Sequence, residues 1–397
     1  VVVTPSWPQD GNPNGIVTYY THLVPAMIEL GHEVHVITFR SSDVSENVHV
    51  IDYPLSVFEK LVCKLVSFFD AGYRQYFINA KSIAYTLEKI NAKSPIDIVQ
   101  MEDSFGWHYI VSALSKKIGS FPVVMRLHGP YFLNSFEATI AKETKKRLER
   151  EAKAFLAAKF VTSPSKDVLE ATQNKYGQSW LEADVIGNAM PIQNTDKQWQ
   201  LSSIMAQQIL FVGRFDNHKG GDVMLHAFFK VKALMPHASL IFIGPDKGLE
   251  ENGYKLNVEQ FLDKYQYDAD CGIQFLGKQD KNTINAYRQS SHVTVVASRY
   301  ETFGNVALEA FASASPLVCS DAGALTEIVQ DDVSGLIFKS EDDVALAEKI
   351  MQIFHSDSLA SRLSAGGLAR VNAQFSPLAA AQKTVGAFSK AVAHSEQ

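Results

Sequence analysis

A chain of 397 residues is too long for one ordinary hydrophobic core and points to two or three domains. Hydrophobic residues make up 46% and charged residues 20%, which excludes a disordered chain. The net charge of −6 lacks the basic excess expected of a general nucleic-acid binder.

Three widely spaced cysteines, Cys63, Cys271 and Cys319, suggest neither a disulfide framework nor a zinc site. No run of about 18 apolar residues offers a membrane span. The first residues, Val1-Val2-Val3, read as a strand and show neither a basic leader nor a cleavage site. A cytoplasmic location is therefore expected, with peripheral contact at the inner membrane face left open.

Short β-branched runs alternate with longer helical patterns along the whole chain, which predicts βαβ units and parallel sheets. Strands are expected over 1–5, 32–38, 48–53, 96–101, 123–127, 160–163 and 185–187. A second set is expected over 209–213, 240–244, 273–276, 293–297, 317–320 and 335–338. Each set suffices for its own doubly wound sheet. The aperiodic polar stretch 188–203, which contains Pro191, marks the boundary. The expected division is a first Rossmann-like domain over 1–190, a second over 191–375 and a terminal helical segment over 376–397. Periodicity alone does not decide which domain that last helix joins.

Two segments fit less simply. Residues 55–73 place Phe58, Leu61, Val62, Leu65, Phe68 and Phe69 at helical spacing. The plain expectation is a helix burying its apolar face on the domain; the other is an amphipathic lid, acceptor wall or membrane-surface helix. Residues 142–153 are densely charged with both signs and read as a solvated helix face built from opposite-charge pairs.

The strongest chemical signal is Ser298-Arg-Tyr-Glu-Thr-Phe-Gly-Asn-Val-Ala-Leu-Glu309. It follows an apolar strand and opens a helix, the place where open α/β sheets bind ligands. Gly304 permits close backbone approach, and Asn305 is the expected N-cap. The first-turn amides and the positive end of the helix dipole suit a phosphate. Two carboxylates, Glu301 and Glu309, would repel that phosphate but can accept hydrogen bonds from sugar and ribose hydroxyls. A plain N-cap loop with two surface glutamates is the alternative.

Phe211-Val-Gly-Arg-Phe-Asp-Asn-His-Lys-Gly220 also links a strand to a helix. Its cations Arg214 and Lys219 can neutralise a diphosphate leaving group; otherwise they are two solvated surface charges. The first loop, Pro8 to Ile16 with Asn14-Gly15, is a weaker glycine-containing phosphate candidate that equally reads as tight turns. His128 ends the strand over 123–127 and precedes Gly129-Pro130, an even choice between structural and catalytic roles. The pair Asp268 and Asp270 resembles a metal-binding motif but precedes a strand rather than following one, so no metal is expected there.

Together these segments resemble the retaining family 4 glycosyltransferases of the GT-B fold, over nearly the whole chain. Gly213-Arg214 with Lys219-Gly220 looks like the family's GR…KG loop. Glu301 to Glu309 looks like its E-x7-E signature. Asn14-Gly15 stands where the family usually has Gly-Gly, and His128-Gly129 matches a frequent HG. Departures are Asn14, Ala314 and Ala324, each in place of a glycine.

The resemblance implies two Rossmann-like domains facing a cleft, with the last helix crossing back to the first domain. It implies that Glu309 holds the donor ribose and Glu301 the transferred sugar. Backbone amides from Phe303 through Gly304 and Asn305 to Val306, with Arg214 and Lys219, would hold the diphosphate. Gly277 would contact the base, Gly15 the donor phosphates, and His128 would lie near the sugar's reactive carbon.

The expected activity is transfer of a sugar, a hexose first of all, from a nucleotide-diphosphate sugar to a saccharide, lipid or small-molecule hydroxyl. No cofactor, divalent metal or protein nucleophile is implied. An epimerase or phosphorylase on the same fold and a non-catalytic nucleotide-sugar sensor are the alternatives.

Overall fold

A computed structural model describes residues 1–8, 14–43, 45–67, 70, 72–134, 142–180, 183–251, 253–268 and 272–395, without the side chains of 134, 142 and 143. The chain forms two units, Val1–Ala189 with Pro377–Gln397, and Met190–Ser376.

The first unit runs β1 (Val2–Thr4), α1 (Gly15–Glu29), β2 (Val36–Thr38), β3 (Val48–Val50), α2 (Val57–Ser67), α3 (Tyr73–Asn91), β4 (Val99–Glu102), α4 (Trp107–Ile118), β5 (Val123–Arg126), α5 (Tyr131–Asn134), α6 (Lys142–Ala157), β6 (Phe160–Ser163), α7 (Lys166–Tyr176) and β7 (Asp184–Val185). Its strands form one sheet in the order β3-β2-β1-β4-β5-β6-β7, paired in parallel throughout. The buried strand runs Val2-Val3 and Val123 to Met125 have no polar face because helices cover both sides, as parallel sheets require.

The second unit runs β8 (Met205–Val212), α8 (Gly221–Leu234), β9 (Ser239–Ile243), β10 (Leu249–Glu251), β11 (Tyr254–Leu256), α9 (Val258–Lys264), β12 (Ile273–Gly277), α10 (Lys281–Ser290), β13 (Ser291–Val296), α11 (Asn305–Ala312), β14 (Leu317–Ser320), α12 (Leu325–Ile328), β15 (Leu336–Phe338), α13 (Asp343–Phe354) and α14 (Asp357–Gln374). Its parallel sheet has the order β12-β9-β8-β13-β14-β15, so the chain reverses direction across the sheet next to β8 and β13. Doubly wound sheets bind ligands outside such a reversal. The antiparallel hairpin β10-β11 has no counterpart among the predicted strands.

Helix α15 (Pro377–Ser395) belongs to the first unit, where Ala381, Phe388 and Ala391 pack in the core formed by Tyr19, Tyr20, Leu23 and Val24 of α1. Met190 joins the second unit through its amide, which donates to the Phe375 carbonyl at 2.7 Å.

Two expectations need correction. The segment 55–73 is not one helix with a buried apolar face. Its helix α2 leaves Val57, Phe58, Leu61 and Leu65 exposed and buries only Cys63. Glu59 explains the orientation: it turns inward to accept from Tyr53 Oη at 2.8 Å and from the Ser56 amide at 3.0 Å. Phe68 and Phe69 lie outside the described residues.

The charged segment 142–153 is not merely a solvated face either. In α6, Glu151 is buried and pairs with Arg147, whose Nε donates to Glu151 Oε1 at 2.8 Å. Arg150 pairs with Asp70. Residues 147, 150 and 151 share one helical side, and that side faces protein.

Candidate active site

In the second unit, the polar groups gather where β8 and β13 end. The turn after β8 needs glycine at 220: its φ is 65°, and a Cβ there would lie 1.9 Å from the Ala297 carbonyl oxygen. This close approach brings the two strand-end loops together. Lys219 Nζ lies 2.5 Å from Glu301 Oε1, and Ser298 Oγ donates to the same oxygen at 2.7 Å.

Asp216 organises the other side of this cluster. Its Oδ1 accepts from the Lys219 amide at 2.8 Å, and its Oδ2 accepts from Arg214 Nε at 2.5 Å. Arg214 remains about half exposed, with a side-chain exposure of 47%. Glu301 is 8% exposed. Burial alone would raise its pKa, but Lys219, Ser298 and His218 outweigh that and hold it below the ordinary carboxylate range. The carboxylate is thus ionised, oriented and desolvated at one oxygen.

Helix α11 begins immediately beyond. Gly304 is its N-cap, in the left-handed region at φ 90°, and as a glycine it supplies no capping side chain of its own. This corrects the expectation that Asn305 is the N-cap: Asn305 is the first helical residue. A side chain at 304 would meet Leu325 Cδ2 at 2.7 Å, so the cap position tolerates only glycine. The Ala307 amide donates to the Gly304 carbonyl at 3.0 Å, and the positive end of the helix dipole at this start favours an anion. Phe303 is buried and Val306 half-buried beside it.

One turn into α11, Glu309 pairs with Arg288 of α10. Arg288 is 1% exposed, and its NH1 also donates to Asn285 Oδ1 at 2.9 Å. Sequence reasoning missed Arg288, because nothing in the polar segment Lys281–Ser290 singles it out. A guanidinium locked on both sides holds Glu309 in one orientation, as recognition of a diol requires.

Gly277 ends β12 with φ 60°, and its carbonyl accepts from the Gly244 amide at 2.8 Å. A Cβ at Gly244 would lie 1.9 Å from the Gly213 carbonyl oxygen. Gly213, Gly244 and Gly277 therefore end three adjacent strands with bare backbone, a surface a planar base can approach.

The remaining candidates lie in the first unit. Gly15 opens α1 behind Asn14, whose Oδ1 accepts from the Ile16 amide at 2.9 Å. That capping bond occupies one donor of this helix start with protein. Residues 9–13 of the loop lie outside the described residues. His128 follows β5, and its amide donates to Asp103 Oδ2 at 3.2 Å. Its ring meets Tyr19 edge-on, with centroids 5.1 Å apart, and its Nε2 is buried without a partner among the described residues. Burial, reinforced by the Arg126 charge, pushes its pKa well below the usual value and keeps the ring neutral.

Asp268 is exposed and Asp270 lies outside the described residues. Among the described residues no group of three or more His, Cys, Asp or Glu side chains converges as a metal site would.

Two family models match the chain in tandem: Glycosyltransferase Family 4 over residues 13–193 and Glycosyl transferases group 1 over 193–370. An uncharacterized glycosyltransferase of Methanocaldococcus jannaschii is 26% identical over 354 residues, covering 89% of this chain and 88% of that protein. A D-inositol 3-phosphate glycosyltransferase of Nocardioides sp. is 28% identical over 173 residues, 41% of this chain and only 37% of that relative. Among solved structures, sucrose-phosphate synthase from Thermosynechococcus elongatus superposes with a TM-score of 0.68 at 19% identity, covering 99% and 98% of the two chains. Anabaena HepE, solved in complex with UDP and glucose, gives 0.69 at 17% identity, covering 98% and 99%. With both sheets parallel and both halves matched in order, the chain belongs to the GT-B glycosyltransferases of the family 4 type.

Proposed function

We propose that this glycosyltransferase moves a sugar, a hexose first of all, from a nucleotide-diphosphate sugar to an acceptor hydroxyl with retention of configuration. The observation that carries the proposal is the Lys219–Glu301 pair at 2.5 Å beside the start of α11. Glu301 accepts a hydroxyl of the transferred sugar through the oxygen not committed to Lys219. Glu309, held by Arg288, takes the ribose. The diphosphate rests on the first turn of α11, with Lys219 and Arg214 beside it, and the base lies against Gly277.

The bond from the anomeric carbon to the diphosphate oxygen breaks with its electrons on the phosphate. Lys219, Arg214 and the helix dipole stabilise that charge. The acceptor oxygen bonds to the carbon on the face just vacated, and its proton passes to the departing phosphate oxygen. No protein nucleophile is invoked. Cationic side chains supply the positive charge a divalent metal supplies elsewhere, so transfer proceeds in EDTA. His128, kept neutral by burial and held through its amide by Asp103, is the catalytic candidate of the first unit.

The HepE structure with UDP and glucose favours UDP-glucose as the first donor to test. The test is turnover of UDP-, GDP- and ADP-sugars by the wild-type chain and by Lys219→Ala and Glu301→Ala. Variants that turn over normally defeat the assignment.

We further place the chain at a membrane surface in a reducing compartment. Cys63 and Cys319 are buried and unbridged. No helix of the described residues is long and apolar enough to cross a bilayer. Exposed Val57, Phe58, Leu61 and Leu65 form one stripe of α2, flanked by exposed Lys60 and Lys64, as in helices that lie on anionic lipid.

A further inference from the structure

The two peptide groups just before Lys219 turn their carbonyls toward one residue. The Asn217 carbonyl accepts from Arg299 Nη1 at 2.7 Å, and the His218 carbonyl accepts from the Arg299 amide at 2.9 Å. Beyond Lys219, in the first turn of α8, Asp222 takes the same guanidinium with both oxygens. Nη1 donates to its Oδ1 at 3.0 Å and Nη2 to its Oδ2 at 2.7 Å. Arg299 thus grips the chain on both sides of Lys219, and it stands two residues before Glu301. Resting on the glycosyl-transfer reading above, we propose that Arg299 is a positioning residue for that reaction: it fixes the loop that carries Lys219, and so sets where the ammonium group meets the departing diphosphate.

The bonding is of the kind that fixes a position. Exposed ion pairs contribute little and hold no single geometry. Here the side chains are largely buried, at 23% exposure for Arg299 and 17% for Asp222. A two-pronged guanidinium–carboxylate pair fixes angle as well as distance. The remaining nitrogen, Nε, donates to Glu341 Oε1 at 2.6 Å. Glu341 stands in the left-handed region at φ 70°, which a side chain of this kind rarely adopts, in the turn between β15 and α13. All three nitrogens of the guanidinium are therefore committed, to Asn217 and Asp222 on one side and to Glu341 on the other.

The neighbouring contacts show which part Arg299 governs. The Glu301 carbonyl accepts from the Ala324 amide at 2.9 Å, and a Cβ at Gly323 would lie 2.4 Å from that same oxygen. The backbone of Glu301 is thus fixed by the loop after β14. Lys219 reaches Glu301 through a long flexible side chain, and its placement follows that of residues 217–219. The parallel pairing of β8 with β13 brings the two loops side by side. Arg299 bonds the one to the other. A lysine at 299 supplies a point charge for Asp222 but no planar fork that spans Asp222 and the Asn217 carbonyl together.

Kinetics of the full chain with a nucleotide sugar test the proposal. Arg299→Gln lowers kcat by roughly ten- to hundredfold, the scale of loss for a misplaced group, with KM for the donor little changed. Arg299→Lys recovers part of kcat. Asp222→Asn keeps the arginine, lowers kcat in the same sense, and serves as the independent variant. The deciding measurement is a double-mutant cycle. In a Lys219→Met chain, Arg299→Gln costs almost nothing further, because the group it positions is already gone. A purely structural role lowers the melting temperature and leaves kcat per folded molecule unchanged. That result in both Arg299→Gln and Asp222→Asn overturns the proposal, as does a full additive loss in the cycle or a raised KM at unchanged kcat. A wild-type chain that turns over no nucleotide sugar, or a Lys219→Met chain that turns over normally, overturns instead the transferase reading on which the proposal rests.

Discussion

Lys219 and Glu301 are 82 residues apart in the chain, yet their charged atoms meet at 2.5 Å in a largely buried position. Neither strand-end loop places its charge alone; the pair exists because β8 and β13 are neighbours in the sheet. Removal of either partner has two separable consequences. Lys219→Met lowers donor turnover by roughly a hundred- to thousand-fold, the usual loss for an electrostatic stabiliser. It also destabilises the second unit by about 3 kcal/mol, because Glu301 is left buried and unpaired. The double variant Lys219→Met with Glu301→Gln regains much of that stability but none of the activity. Thermal melts and donor kinetics on the same samples check both parts. Glu301 has a depressed folded-state pKa, so its stabilisation is present above the unfolded carboxyl value and lost as the pH falls through the folded one. The variants and the wild type therefore converge in stability in strong acid.

Arg288 predicts a different signature. It touches Glu309 rather than the reacting atoms, so it acts by positioning. Arg288→Met raises KM for the nucleotide sugar about tenfold, or about 1.4 kcal/mol, with kcat changed much less. Glu309→Gln shows the same split. A fall in kcat with unchanged KM would place Glu309 with the transferred sugar instead of the ribose.

The first unit carries an unusual pH dependence. Burial, then the neighbouring Asp103 charge, pushes Glu102 up to about 8, against the pull of Arg147. Burial, then Glu151, pushes Asp103 up to about 7 although the His128 and Gly129 amides oppose it. Both acids are protonated when folded and ionised when unfolded over the interval from ordinary carboxyl values to about pH 7–8. Folding takes up protons there, so stability falls as the pH rises from about 5 to about 8, by up to 1.4 kcal/mol per pH unit for each group. Hydrogen exchange of the β4 and β5 amides follows this unit alone. Glu102→Gln flattens the slope; an unchanged slope refutes the account.

Exposed Phe58, Leu61 and Leu65 predict binding to anionic vesicles. Replacing all three by serine weakens partitioning by roughly tenfold or more, since each buried apolar side chain contributes on the order of 1 kcal/mol or more at an interface. Sedimentation with phosphatidylglycerol vesicles measures it, and turnover on a soluble acceptor stays unchanged. Equal partitioning of the triple variant removes α2 from the membrane.

The alternation of apolar runs and helical patterns, the loops at strand ends and the segments 211–220 and 298–309 were all readable in one dimension. They depend on local rules: a strand buried on both faces stays apolar, and a phosphate-binding turn needs glycine where backbone must come close. Even the cap of α11 was a local matter read one residue late, since Gly304 rather than Asn305 closes it.

Tertiary structure decided what each face meets. The charged pattern of 142–153 is the same whether α6 looks onto water or onto Phe105 and Tyr131, and only the packing of α6 against the turn after β4 makes Arg147 and Arg150 a cavity wall. The apolar stripe of 57–65 has the same period whether buried or exposed, and the inward turn of Glu59 settles it. Arg288 finds Glu309 only because α10 and α11 flank the same strand, β13. Periodicity records which residues share a side; the sheet order fixes which sides are covered, and by what.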